Sequence, residues 1–171
     1  MNVLVCIKRV SVPGVKFVLT EDEQEINTRN LGFTIGPHEE CALEEAVRLT
    51  EQHGGESTVL TLGPAESHEQ LRDALAMGVD NAILLQTDGR EWEPIATARA
   101  IADTVLALRE KGHEFDVLLF GNDAADTGGS QVGIRVAYAL DLPCVTGIKA
   151  LDIGDGVAVA RREASSGWEV F

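Results

Sequence analysis

The chain has 171 residues, 44% of them hydrophobic and 25% charged, which suits one domain with a sizeable core and excludes collagen-like and disordered classes. Its 28 acidic and 14 basic residues give a formal charge of −14, a surface field that repels phosphate backbones and argues against nucleic-acid binding. An anionic ligand of such a molecule must be held by local donors, chiefly backbone N–H groups.

The opening "MNVLVCIKRV" has one short apolar run, "VLVCI" (3–7), that meets Lys8 and Arg9 without a charged start or a small-residue cleavage site. No stretch approaches the roughly 18 apolar residues of a membrane span, so the expectation is a cytoplasmic protein without membrane insertion. Three further runs, "TVLTL" (58–62), "AILLQ" (82–86) and "VLLF" (117–120), likewise lack in/out alternation and suit strands covered on both faces, as in a parallel sheet. Residues 14–30 alternate and turn at the acidic "EDEQ", which predicts an antiparallel hairpin outside that sheet.

Helical periods fall between the apolar runs. Ala42, Ala46 and Leu49 share a face over 39–53, and Leu71, Ala74 and Leu75 mark a helix over 66–77 with Gly78 as its cap. A third helix, 94–111, begins with Pro94 in its first turn, and a fourth covers 129–141 with Val132, Val136, Ala137 and Leu140 inward. Strand and helix alternate at crossover lengths, so the fold class is α/β, a doubly wound, mainly parallel sheet with helices on both faces and a peripheral antiparallel hairpin, in a single domain over 1–171. A second hairpin signal sits at Gly154-Asp155-Gly156.

Ligands of open α/β sheets gather at the carboxyl ends of strands where the strand order reverses. Turns after the first, second and fourth strands open there, and the last, "FGNDAADTGGSQVG" (120–133), is the most informative. Gly121 ends the strand, and Gly128, Gly129 and Ser130 open a helix whose free N–H groups favour an anion. A second reading of the same residues is a long connection in which Asp126 or Thr127 caps the helix. Asp123 and Asp126 fit helix capping, glycine orientation or a ribose better than a phosphate. Neither a P-loop nor a G-x-G-x-x-G motif is present, which leaves lysine-driven phosphoryl transfer unsupported.

His38 stands beside Glu39 at the start of the first long helix, where a lone histidine is an ordinary solvated or hydrogen-bonded side chain. His53, His68 and His113 have no ligand-spaced partners, Cys6, Cys41 and Cys144 form no metal or redox motif, and no nucleophile stands with a base and orienter. No metal and no catalytic residue is assigned. Trp92 and Trp168 read as packing or interface residues.

"NVLVCIKRVSVPG", "GPHEECALEEAVRL", "LGPAESHEQLRDALAMGVDNAILL" and "FGNDAADTGGSQVG" together resemble the β subunit of electron-transfer flavoproteins across essentially the whole chain. The resemblance implies a Rossmann-like, adenine-nucleotide-binding domain that carries AMP, or a second FAD in the electron-bifurcating type, while the redox FAD is held mainly by the α subunit of a heterodimer. By position it implies nucleotide contacts at Cys6, Gly36, Pro37, His38, Glu39 and Leu62. It also implies contacts along the loop Gly121, Asn122, Asp123, Ala124, Ala125, Asp126, Thr127, Gly128, Gly129, Ser130, Gln131 and Val132, with Gly128 to Gln131 as phosphate donors. Gly36 and His38 replace the family's asparagine and aromatic or aspartate, and "NDAADTGGSQ" replaces Lys-Gln-Ala-Ile-Asp-Asp-Asp. Family chains run on past this endpoint into an arm that embraces the α subunit and a loop that docks flavin dehydrogenases, so those partners are expected to engage segments outside this chain. The implied role is an electron carrier without bond chemistry of its own. A stand-alone ATP- or AMP-binding sensor of the universal-stress type is the alternative, although its Gly-x-x-Gly loop spacing fits glycines at 121, 128 and 129 poorly.

Overall fold

The structure, a computed structural model, describes residues 1–171. Five consecutive buried residues make β1 (Val3–Ile7), and the chain then forms short strands β2 (Arg9–Ser11) and β3 (Phe33–Ile35) before helix α1 (Pro37–His53). Strand β4 (Ser57–Gly63), a 3-10 turn (Ala65–Ser67), helix α2 (His68–Ala76), strand β5 (Asn81–Gln86), helix α3 (Pro94–Glu110), strand β6 (Val117–Phe120) and helix α4 (Val132–Ala139) follow. Strands β7 (Ile148–Gly154), β8 (Val157–Ala164) and β9 (Gly167–Val170) end the chain.

Strands β1, β4, β5 and β6 form one parallel sheet in the order β5-β4-β1-β6. Counted among themselves in chain order they run 3-2-1-4, so the winding reverses between β1 and β6, a topological switch point. Alternation along β1 divides the core. Val3, Val5 and Ile7 pack with Leu43, Ala46 and Leu49 of α1 and Leu71 and Ala74 of α2. Leu4 and Cys6 pack on the opposite face with Ala98, Ile101 and Val105 of α3, Val136 of α4 and Leu140 at its C-cap. Each large apolar side chain buried this way contributes roughly 1.5–3 kcal/mol of transfer free energy, so the doubly covered sheet is the stable frame.

The expected hairpin forms outside this sheet. Its turn covers the acidic tip, with Glu23 in the left-handed region (φ 57) and Thr20 N–H donating to the Glu25 carbonyl at 2.9 Å. Only Leu19 and Ile26 bridge the limbs near the tip, and the ladder resumes at the base as β2 against β3.

Three boundaries depart from the sequence expectation. Pro64 starts a 3-10 turn, so α2 begins at His68 rather than 66. Helix α4 begins at Val132, because Gly128 (φ 58) and Ser130 (φ 49) hold the preceding residues out of helical conformation. The tail is a three-stranded antiparallel sheet rather than one hairpin, since β9 adds to β8 with Arg161 opposite Val170. Its β7–β8 turn, with Asp155 (φ 52) and Gly156 (φ 76), is the one expected.

Candidate functional site at the switch point

Because β1 and β6 are neighbours with Cys6 opposite Phe120, the residues that follow them, Lys8 and Gly121, stand at the mouth of the switch-point crevice. The start of α1 closes its side. Gly36 is the extended N-cap (φ −70, ψ 151), Pro37 supplies the pre-set first helical position, and His38 and Glu39 complete the first turn. His38 Nε2 meets Asp123 Oδ1 at 3.0 Å.

Glu39 turns inward and is only 4% exposed, with Oε2 buried and unpartnered. It fits there because two neighbours lack a Cβ. A Cβ on Gly36 would lie 2.3 Å from its Oε2, and one on Gly121 would lie 2.7 Å from its Cδ. Burial raises the Glu39 carboxyl above the ordinary range and Asp126 reinforces the shift, against its own backbone N–H, His38 and Lys8.

The loop after β6 is tied down twice. Lys8 Nζ donates to Glu91 at 2.7 Å and lies 2.9 Å from Asp126, while His38 holds Asp123. Asp126 also accepts from the Thr127 N–H at 2.8 Å, and Gly128 N–H donates to the Ala124 carbonyl at 2.8 Å. Asp126 and Thr127 therefore do not cap α4, contrary to the capping reading. The N-cap is Gln131, it makes no side-chain capping bond, and Asp126 is engaged by Lys8 instead.

Beyond that tied segment the backbone is free. The N–H groups of Gly129, Ser130 and Gln131 meet no acceptor within the chain, and the first donor into α4 is Arg135 N–H, to the Gln131 carbonyl at 3.0 Å. Ser130 in the left-handed region followed by Gln131 near the right-handed one (φ −116, ψ −30) is the alternation that turns successive N–H groups into an anion-binding concavity. A Cβ added at Gly128 or Gly129 would meet nothing within 4 Å, so the loop is not filled by neighbouring side chains.

Most of the expected residues converge here: Gly36, Pro37, His38 and Glu39 from α1 and residues 121–132 after β6. Two stand apart. The Cys6 side chain lies in the apolar cluster under α3 and α4, its thiol pushed well up by burial, which makes it wall rather than nucleophile. Leu62 is paired with Leu85 on β4, separated from the loop by β1. Lys8, Glu91 and Gly133 are absent from the sequence expectation. Lys8 carried a signal, as the first charged residue after a wholly apolar strand at the carboxyl edge. Gly133 lets α4 approach β6, since a Cβ there would lie 3.0 Å from the Phe120 ring. Glu91 carried none, because its contact with Lys8 spans 83 residues.

A free amide concavity flanked by carboxylates can seat a phosphate on the backbone and a hydroxylated sugar against Asp123 or Asp126. Residues 25–170 match the family described as electron transfer flavoprotein domain. The chain is 39% identical over 163 residues to an electron transfer flavoprotein subunit beta of Bacillus subtilis, covering 95% of this chain and 62% of that protein. It is 34% identical to the subunit beta of Thermoanaerobacterium thermosaccharolyticum, covering 100% of this chain and 64% of the relative. Protein FixA of Sinorhizobium fredii is 32% identical, with 100% and 61% covered. The chain thus spans a little over three fifths of the length of these relatives. Parallel sheet, switch-point crevice and matched residues agree, and the chain belongs to the electron transfer flavoprotein domain family.

Proposed function

We propose that this chain is the nucleotide-carrying β-type part of a heterodimeric electron carrier, in which an α subunit holds most of the redox FAD and electrons pass from flavin dehydrogenases toward a quinone-linked acceptor. Its crevice takes AMP, or the adenylate end of a second FAD in a bifurcating carrier. The chain performs no bond chemistry of its own. What carries the reading is the set of unpartnered amides at Gly129, Ser130 and Gln131 at the switch point, which offers an anion main-chain donors in a molecule of net charge −14.

When bound, a flavin supplies the one- and two-electron chemistry, and the residues here bind and orient. The 129–131 amides hold the phosphate, Asp123 and Asp126 stand ready for sugar hydroxyls, and Lys8 and His38 hold those carboxylates in place.

The chain purified with its companion subunit, denatured and resolved by chromatography, is expected to release one AMP per heterodimer beside one FAD. Two FAD and no AMP assign the bifurcating type. ATP released from a self-associating chain that ignores the companion subunit would replace this reading by the sensor, and no released nucleotide at all would remove the crevice from the function.

A further inference from the structure

The two helical layers on the parallel sheet differ on their outer surfaces. The tail sheet rests on the α1 side, where Leu151 and Ile153 pack against the cluster under α1 and α2 and Arg48 donates to the Leu151 carbonyl at 2.8 Å. The cluster under α3 and α4 has no tail residue against it, and a groove of about 650 Å³ runs open between those two helices. Four exposed apolar side chains border it: Ile95 and Leu106 of α3, and Ile134 and Tyr138 of α4. Tyr138 is 91% exposed, so its ring stands in water over nearly its whole surface. Single exposed apolar residues are ordinary, whereas four around one groove mark a surface that associates with protein.

Charge sets this face apart from the rest of the molecule. Helices α3 and α4 carry three arginines, Arg99, Arg109 and Arg135, against two carboxylates, Asp103 and Glu110, in a chain of formal charge −14. Helix α1 alone carries five glutamates. Two copies meeting through such an acidic face would set carboxylate against carboxylate, and the α3 and α4 face escapes that penalty. Its small cationic surplus is too weak to hold a nucleic acid or an anionic membrane.

The face is also complementary to itself. Along α3 the groove residues run apolar, cationic, anionic, apolar, as Ile95, Arg99, Asp103 and Leu106. The midpoints of the outer pair and of the charged pair both fall at residues 100–101. A two-fold axis crossing α3 at that level lays the helix antiparallel on its copy, with Ile95 on the partner's Leu106 and Arg99 on the partner's Asp103. A two-fold interface requires this reciprocity. Both charged groups are available for it, since Arg99 and Asp103 approach each other only to 3.8 Å within the chain and are largely exposed.

We propose that the chain pairs with a second copy of itself through the α3 and α4 face, as a two-fold dimer in which antiparallel α3 helices exchange Arg99–Asp103 contacts. The pairing goes beyond the function proposed above and does not depend on it. Self-association alone does not favour the sensor, which the released nucleotide decides.

Sedimentation velocity of the full chain from about 1 µM to about 1 mM is expected to move from monomer to dimer. Tyr138→Glu, Arg99→Asp and Asp103→Arg are each expected to weaken self-association at least about tenfold, whereas Lys16→Glu on the hairpin leaves it unchanged. Mixing the Arg99→Asp and Asp103→Arg chains is expected to restore a dimer within about threefold of the unsubstituted strength, because each chain supplies the charge that the other lacks. A misfolded variant would not be rescued in this way. A chain that stays monomeric at about 1 mM, or a dimer that none of the three variants weakens, overturns the inference. Mixed variants that stay apart overturn the antiparallel pairing and the inference with it. If Tyr138→Glu instead weakens binding of the companion subunit to a chain that never self-associates, the face belongs to that subunit and the inference falls, with the nucleotide reading untouched.

Discussion

Glu39 and Gly129 are the two positions where one atom more or less changes the site. Placing Glu39 between Gly36 and Gly121 takes a carboxyl from water and leaves Oε2 without a hydrogen bond, so the neutral acid is the favoured folded form. With its folded pKa raised, the stability it contributes is fully present below the ordinary glutamate range, about 4.3, and is lost as pH rises through the raised value. Glu39→Gln keeps the shape without the titration. In urea unfolding from about pH 4 to about pH 7, the variant is expected to gain on the unsubstituted chain by up to about 1.4 kcal/mol per pH unit within that window. Parallel curves would show that Glu39 is ionised in place. Gly129 needs no left-handed backbone and has no neighbour within 4 Å, so Gly129→Ala is expected to shift unfolding by less than about 0.5 kcal/mol. The same methyl group obstructs close approach to the amides and is expected to cost AMP about tenfold in affinity, roughly 1.4 kcal/mol, by calorimetry. Equal affinity would place the phosphate elsewhere.

At the scale of elements, the loop between β6 and α4 is a tied segment followed by an open one. Lys8 secures the tied half through Asp126 and Glu91, at 26% side-chain exposure, where an ion pair is partly sheltered from solvent. Removing it with Lys8→Ala leaves two carboxylates, Glu91 and Asp126, without their lysine, while His38 still holds Asp123. Hydrogen exchange of amides 122–131 is expected to quicken by about tenfold, while the thermal midpoint falls by only a few degrees, about 2–4 °C, because the core clusters are untouched. If exchange quickens equally in β1 and β4, Lys8 supports the fold rather than the loop. The same loop shows why α4 was legible only in part. Its inward residues Val136 and Leu140 follow the helical period, but the start depends on the left-handed turns at Gly128 and Ser130, which no periodicity reports.

For the molecule as a whole, the excess of carboxylates works against any anionic ligand at a distance, while the crevice attracts it only on contact. Raising ionic strength from about 10 mM to about 150 mM shortens the screening length from about 30 Å to about 8 Å. Association of a fluorescent AMP analogue, followed by stopped flow, is therefore expected to speed up by roughly two- to fivefold as salt is added, with little change in dissociation. A site run by lysines would slow instead, and that result would contradict the backbone-donor account.

Composition and local pattern were enough to establish the strand-and-helix alternation, the four parallel strands, the hairpin turned by its acidic tip, the acidic net charge, and the glycine loop after "VLLF". Each of these is written in neighbouring residues, through periodicity, turn chemistry or net charge. Of the four strands expected to be covered on both faces, β1 and β4 are buried, whereas β5 and β6, at the sheet edges, stay partly exposed. Tertiary structure alone decided that β6 lies beside β1, which makes that loop and the first turn of α1 one crevice and leaves Leu62 on the far side of β1. It also decided that Lys8 meets Asp126 across 118 residues, that Glu39 fits between two glycines 85 positions apart, and that β9 completes the tail sheet. Those pairings join residues whose separation along the chain carries no periodic trace, and they exist only because the doubly covered sheet brings distant carboxyl ends together.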